Sequence, residues 1–169
     1  FFTQLVRSYA LQAKMLKELG YAGIGPSYTG PALLAETLKE LDKNDLQLFA
    51  LYTGVNIDPG AQPYDPSLKE GMKVLEGRNT ILWLFTQSKE RKPSAQEGDA
   101  RAVGILCELA DEAAKHNVRI ALYPHTGFWI ETVDDAVRIA EKVDRPNVGV
   151  TFNLCHWLKV SQSRDAKTI

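Results

Sequence analysis

Apolar residues recur at two alternating spacings along the chain. Five segments carry them every three or four positions, which predicts amphipathic helices. The first segment lies around Leu16, the second begins at Pro31 and the third lies around Met72. The fourth covers 99–116, and the fifth begins after Thr132. Between them lie short apolar runs that predict strands, at 21–25, 46–53, 80–85, 118–123 and 147–153, and the near-continuous run at 46–53 is typical of a strand buried on both faces. Strands are therefore expected to alternate with helices from end to end.

Local signals support the ends and inner faces of these helices. Gly20 is placed to end the first helix, Pro31 to open the second and Thr132 to cap the fifth. The inward positions are expected to be apolar: Leu5, Tyr9, Leu16, Leu19, Leu34, Leu38, Leu41, Leu68, Met72, Leu75, Val133, Ala136, Val137, Ala140 and Val143. Polar stretches at 54–65 and 87–98 are expected to be loops, and 161–169 the polar start of a further helix.

Strand–helix alternation with short turns predicts right-handed crossovers and a parallel sheet. A doubly wound open sheet also fits, but the chain has no Gly-x-Gly-x-x-Gly and no phosphate-binding loop motif. We therefore favour an α/β fold, a (β/α) TIM-type barrel with about five of its eight strands, as a single partial domain over 1–169. Two unpaired edges would favour aggregation, so we expect a longer polypeptide or pairing with a second copy.

Composition limits the function classes. The 169 residues are 44% hydrophobic and 24% charged, with a formal net charge of −1. A near-neutral chain without a basic run argues against a nucleic-acid partner. No apolar run approaches the roughly 20 residues that span a bilayer. No targeting segment is visible, so the expectation is a cytoplasmic protein that acts on a small molecule, with a homo-oligomer left open.

Three phrases carry a resemblance to a known family. They are Leu-Gly-Tyr-Ala-Gly-Ile at 19–24, Asn-Val-Arg-Ile-Ala-Leu at 117–122 and Pro-Asn-Val-Gly-Val at 146–150, which continues into Thr-Phe-Asn-Leu-Cys-His. Over nearly its whole length the chain resembles the xylose isomerase-like TIM-barrel superfamily, the sugar phosphate isomerases/epimerases. The phrases are moderately specific for the superfamily and weakly specific for any one reaction.

The resemblance implies metal-assisted proton transfer beside a sugar carbonyl. In the family a divalent metal, such as Mn, Mg or Zn, is typically held by a Glu, an Asp, a His and a second Glu at strand ends. By this resemblance the first Glu falls at Tyr123 and the Asp at Asn153, while the His that contacts substrate is His156. The remaining two ligands lie on strands that this sequence does not contain. The departures at both carboxylates weigh against ordinary metal-dependent epimerisation.

Two of the three histidines, His125 and His156, directly follow predicted strands, at the end where barrels build active sites. With Asn153 they are our candidate catalytic residues, and His125 is a tentative metal ligand. His125 could instead bond a loop carbonyl, and Asn153 could be a turn residue. Aromatic faces bind sugar rings. The candidate substrate-binding residues are Tyr123, Trp129 and Trp157, although both tryptophans could equally be packing residues.

The resulting hypothesis is a divergent sugar or sugar phosphate isomerase/epimerase, with or without a metal. The alternative is a non-catalytic carbohydrate-binding barrel that has lost the family carboxylates. The apurinic-endonuclease branch of the superfamily is disfavoured, because it needs a cluster of metal ligands and a basic face, and this chain has three histidines and a net charge of −1.

Overall fold

A computed structural model of the chain describes residues 8–161. Helices and strands alternate along it, as the sequence predicts. In chain order the elements are α1 (Tyr9–Glu18), β1 (Gly23–Ile24), α2 (Pro31–Lys43), β2 (Gln47–Leu48), β3 (Ala50–Asn56), α3 (Leu68–Val74), β4 (Ile81–Gln87), α4 (Asp99–Lys115), β5 (Arg119–Leu122), α5 (Val133–Val143), β6 (Val148–Val150) and α6 (Leu154–Ser161). A 3₁₀ turn, Gln96–Gly98, precedes α4.

The strands are parallel, which confirms the predicted β/α topology. β1 pairs with β2, and β3, β4, β5 and β6 follow one another in an open four-stranded sheet. The strand predicted at 46–53 is broken at Phe49. Its N–H donates to the carbonyl of Ile24 while its carbonyl accepts from the N–H of Ile81, so this residue bonds to both neighbouring strands, and Tyr52 further along still bonds to the segment after β1. All strand carboxyl ends therefore lie along the same edge of the fold.

The central strands are buried on one face only. On β3 and β4 the exposure of side chains alternates with period two. One set, which we call the covered face, lies in the core with the helices: Leu51, Val55, Leu82, Leu84, Ile120 and Leu122. The opposite set, which we call the open face, is partly exposed: Tyr52, Ile81, Trp83, Phe85 and Tyr123. The expectation of burial on both faces is wrong, because helices cover only one side of the described sheet.

Most helix signals are confirmed. Pro31 begins α2, and Leu34, Leu38 and Leu41 are buried. Thr132 accepts a hydrogen bond from the Asp135 N–H while the Asp135 carboxylate accepts from the N–H of Thr132, a complete capping box.

Four details of the helix predictions need correction or fall outside the described residues. Leu19 is 58% exposed, because α1 ends at Glu18 and this residue lies beyond the last turn. Val137 is 37% exposed, and Ile139 occupies the inward position instead. The polar tail was expected to start a helix, but α6 begins earlier, at Leu154. Leu5 and the segment 162–169 lie outside the described residues. Within 8–161, none of the helices has the length and apolarity needed to cross a membrane.

Candidate functional site

The site is built where β5 and β6 end. Beyond β5, Tyr123 stays bonded to the sheet, since its N–H donates to the carbonyl of Leu84. Beyond β6, the N–H of Thr151 donates to the carbonyl of Leu122. The two chain segments therefore leave the sheet side by side, and the residues that follow them come together.

Asn153 joins the two segments. Its backbone carbonyl accepts from the Trp157 N–H at 2.9 Å and its side-chain oxygen accepts from the His156 N–H at 3.2 Å. It is thus the N-cap of α6, a position for which Asn is among the preferred residues. Its amide group remains free to donate, and it does so to the hydroxyl of Tyr123. One side chain therefore both starts the helix and fixes the Tyr123 hydroxyl.

His125 and His156 form a close pair. Their ring centroids lie 3.9 Å apart at an interplanar angle of 40°. Phe128 stacks on the other side of His125, with centroids 4.1 Å apart. Burial lowers the pKa of His156, and the charge of a protonated His125 and of Lys159 lowers it further. His156 is therefore disposed to stay neutral where an isolated imidazole would begin to charge.

Aromatic side chains extend from this pair across the open face. Tyr123 lies 5.2 Å from Tyr52 and 5.7 Å from Trp83, measured between ring centroids. Phe85 lies 4.6 Å from Tyr52 and 5.2 Å from Phe128. Desolvation, with a smaller contribution from Tyr123, raises the pKa of Tyr52 to about 12, so its phenol stays neutral and serves as a hydrogen-bonding group.

The strand register leaves room beside the large rings. Across the sheet one row runs from Tyr52 to Trp83, then to Ala121 and Gly149. Two bulky side chains are thus followed by two of the smallest on the same face. On the open face, large aromatic side chains therefore cover β3 and β4, while small residues leave space over β5 and β6. The histidine pair lies at the carboxyl end of this face.

The structure places the predicted site residues in three groups. His125, His156, Asn153 and Tyr123 are brought together. Trp157 lies beside them, lining a cavity of about 200 Å³ with Pro124, Glu131 and Asn153. Trp129 does not join them: it is 1% exposed and its indole N–H donates to the carbonyl of Ala95 at 2.8 Å. Its burial favours the packing alternative.

Sequence reasoning missed several residues of this region. Tyr52, Trp83, Phe85 and Phe128 were included in apolar runs or loops without a role. The signal that could have found the first three is their period-two spacing on neighbouring strands, the same spacing that places Tyr123 on the open face.

The described residues do not provide the metal site that the resemblance implies. Between residues 8 and 161, no group of three His, Cys, Asp or Glu side chains is arranged to hold a metal ion. The nearby Glu131 carboxylate is already engaged, since it accepts from the N–H of Gly127 at 2.7 Å. Two imidazoles and a neutral amide are a poor ligand set for a hard cation. The side chains of this part of the chain therefore do not fit the family metal.

Solved structures share this fold. A probable 3-DHS dehydratase, AsbF, from Bacillus anthracis superposes with a TM-score of 0.76 at 17% identity, over 95% of this chain and 62% of that one. A D-allulose 3-epimerase from Methylomonas sp. superposes with a TM-score of 0.70 at 20% identity, over 95% of this chain and 61% of that one. A xylose isomerase-like TIM-barrel protein from Mycobacterium smegmatis, in complex with magnesium, superposes with a TM-score of 0.64 at 17% identity. The match covers 89% of this chain and 57% of that one.

These likenesses are too distant in sequence to transfer an activity, and the chain spans 62% of the length of the first of these structures. No curated protein sequence matches the chain closely enough to count as a relative. The family model of the xylose isomerase-like TIM barrel, however, matches residues 13–168, nearly the whole chain. Structural neighbours and family model agree with the resemblance seen in the sequence. The chain belongs to the xylose isomerase-like TIM-barrel family.

Proposed function

We propose that this chain carries the proton-transfer site of a divergent isomerase or epimerase acting on a sugar or sugar phosphate. One observation carries the proposal. Two adjacent histidines, an asparagine and a tyrosine converge at the carboxyl ends of parallel strands, beside an open aromatic face. In parallel β/α folds this is the end at which ligands bind and reactions occur.

The two histidines have different roles in the proposed reaction, one as a base and the other as a hydrogen-bond donor. His125 is the general base: its Nε2 takes the proton from the carbon next to the substrate carbonyl. The electrons of that C–H bond move into the carbonyl and form an enediolate, whose oxygen accepts a hydrogen bond from Nε2–H of His156. Return of the proton by His125 to the former carbonyl carbon gives the aldose–ketose isomer, provided that His156 passes its Nε2 proton to the first oxygen and takes the hydroxyl proton of the second. An epimer forms when solvent water protonates the other face of the original carbon and His125 releases its proton to solvent.

Asn153 and Tyr123 hold this arrangement and present polar groups to the ligand. The amide–hydroxyl contact between them fixes the direction of the phenol. The Tyr123 hydroxyl accepts from the Asn153 amide and keeps its own proton to donate, so Tyr123 serves as a hydrogen-bonding wall and not as a base. Trp83 and Tyr52 offer ring faces to the apolar side of a sugar, and Trp157 lines the neighbouring cavity.

The proposed reaction does not require a divalent metal, and the effect of adding one is left to experiment. The magnesium-bound neighbour motivates the test, while the ligand set of the described residues does not favour it. His125, the tentative metal ligand of the sequence analysis, could not serve in both roles, because its one free nitrogen, Nε2, is the base of the proposed reaction.

Deuterium exchange tests the proposal whatever product the reaction yields. The protein is incubated in D₂O with a panel of pentoses, hexoses and their phosphates, with and without Mn²⁺, and deuterium next to the carbonyl is followed by NMR. Exchange with at least one sugar, accompanied by an epimer or isomer, is the expected result. Absence of exchange across the panel in both conditions contradicts the proposal.

A second candidate is a non-catalytic carbohydrate-binding barrel. It is favoured by Tyr123 and Asn153, which stand where the family resemblance expects carboxylates. Calorimetry on the same panel separates the two functions. Heat of binding from a sugar that shows no exchange favours the binding module, whereas binding and exchange with the same sugar favour the enzyme.

A further inference from the structure

We propose that Thr126 is a positioning residue that fixes opposite tautomers in His125 and His156, so that the pair presents one free acceptor nitrogen and one donor nitrogen. Thr126 has no role in the family resemblance, and no sequence pattern singles it out. The part of this inference that concerns activity rests on the proposed function. The part that concerns the tautomers does not.

Thr126 contacts both rings. Its carbonyl accepts a hydrogen bond from Nδ1 of His125 at 2.9 Å. Its backbone N–H donates to Nδ1 of His156, with the two nitrogens 3.4 Å apart. Its hydroxyl donates to the carbonyl of His156 at 3.4 Å and lies 3.2 Å from the same Nδ1.

The chemistry of these partners decides the tautomers. A backbone carbonyl only accepts, so Nδ1 of His125 carries the proton and its Nε2 keeps a free lone pair. A backbone N–H only donates, so Nδ1 of His156 is the acceptor and its Nε2 carries the proton. Exchanging the two tautomers would set a lone pair against the carbonyl and a proton against the N–H. One residue thus prepares the base and the donor that the proposed reaction needs.

A tight turn holds Thr126 in place. The N–H of Phe128 donates to the carbonyl of His125 at 2.9 Å, and Gly127 has a φ of 80°. A four-residue turn with a left-handed third residue is the pattern of a type II turn, which favours Gly at that position. The Glu131 carboxylate accepts from the Gly127 N–H and ties the turn to the start of α5.

The surroundings of the pair supply no competing partner for these two nitrogens in the described part of the chain. Around the rings lie the Tyr123 ring, 6.0 Å from His156 between centroids, and the stacked Phe128. The Asn153 side chain is committed to the His156 N–H and the Tyr123 hydroxyl. Lys159 acts on His156 through its charge. Within residues 8–161, the hydrogen bonds of both Nδ1 atoms go to Thr126.

NMR of ¹⁵N-labelled histidine tests the inference directly, because the two ring nitrogens give different shifts and couplings in the two neutral tautomers. At pH 8 we expect one site ring protonated at Nδ1 and the other at Nε2, with His116 as an internal reference assigned through His116→Gln. His125→Gln and His156→Gln identify which ring is which. Two identical tautomers, or the reverse pair, would overturn the inference even if the protein is active.

Variants of Thr126 separate its backbone from its hydroxyl. Thr126→Pro removes the N–H and keeps the carbonyl, so the His156 signal should move toward a mixture of tautomers while His125 stays protonated at Nδ1; the second position of a type II turn accepts proline. Thr126→Val keeps both backbone groups and should keep both tautomers, and a changed tautomer in that variant would contradict the assignment to the backbone. Deuterium exchange should fall about tenfold in Thr126→Pro, the effect of one lost hydrogen bond. Opposite tautomers in a protein without exchange would leave this inference standing and refute the proposed function.

Discussion

The two faces of the same sheet use apolar residues for different purposes. On β4, Leu82 and Leu84 point into the helix-covered core and are fully buried. Their neighbours Trp83 and Phe85 point to the open face and remain partly exposed. Alternate residues of one strand thus serve stability on one side and a candidate binding surface on the other, as the period of two in a strand requires.

The difference lies in what each face packs against. The covered face meets buried residues of α3, α4 and α5, such as Met72, Leu106 and Ala136. The open face packs mainly with itself, ring against ring, and leads to the polar groups of Tyr123 and His125. Substitutions on the covered face should therefore change stability, and substitutions at the carboxyl end of the open face should change activity.

The largest effect is expected from His125→Gln. Removing the proposed base should slow deuterium exchange by about 10²- to 10⁴-fold while the unfolding curve stays close to wild type. The matched control is His116→Gln: His116 follows α4 and contacts Glu76 and Glu112, away from the site. Equal exchange rates in the two variants would remove His125 from the mechanism.

Next in size is the loss of stability on the covered face. Leu84→Ala should lower the free energy of unfolding by about 2–5 kcal/mol, because it leaves a cavity in a closed core. Ile81→Ala, on the same strand but on the open face, should cost less than about 1.5 kcal/mol, since its side chain is already partly exposed. Urea unfolding of both variants measures the difference. Equal losses would show that the two faces are equally packed.

A smaller effect separates two glycines. A Cβ at Gly98 would lie 2.6 Å from Cδ1 of Ile57 and 2.9 Å from the ring of Trp129, both buried, so Gly98→Ala should cost about 1–3 kcal/mol. A Cβ at Gly54 would lie 2.5 Å from the Phe85 ring on the open face, where that ring is partly exposed. Gly54→Ala should therefore cost less than Gly98→Ala in thermal unfolding, and the reverse order would contradict the assignment of faces.

The smallest effect is on pH dependence. The pKa of His156 is lowered in the folded chain, so the unfolded chain binds its proton first as pH falls below the ordinary value of about 6.5. The neutral His156 therefore makes its full contribution to the free energy of unfolding above that pH. The contribution is lost progressively as the pH falls from that value to the pKa of His156 in the folded chain. His156→Gln should flatten the dependence of stability on pH, between about one unit above and one unit below the ordinary value. An unchanged slope would indicate an unperturbed imidazole.

Much of the fold could be predicted because its signals are local. The alternation of spacings gives the parallel topology, and Pro31 and Thr132 mark helix starts that the structure confirms. The break at Phe49 could not be found, since the residue is apolar like its neighbours and only its bonding partners differ. One-sided burial was missed for a similar reason: an apolar run has the same composition whether its second face is covered or lined with aromatic rings.

The site was predictable in part. His125, Asn153 and His156 lie within a few residues of strand ends, and parallel strands bring such residues to one edge, so their proximity follows from topology. The start of α6 at Leu154 was missed, although an Asn before an apolar run is an N-cap signal. The contacts of Thr126 depend on the turn at Gly127 and on ring orientation, neither of which a sequence pattern specifies.

A double-mutant cycle on deuterium exchange tests the central claim that His125 and His156 act as one unit. The rates of His125→Gln, His156→Gln and the double variant are compared with wild type on the sugar that exchanges fastest. If both rings serve the same proton transfer, the double variant should be about as slow as the slower single variant. Losses that multiply would show two independent sites and contradict the account.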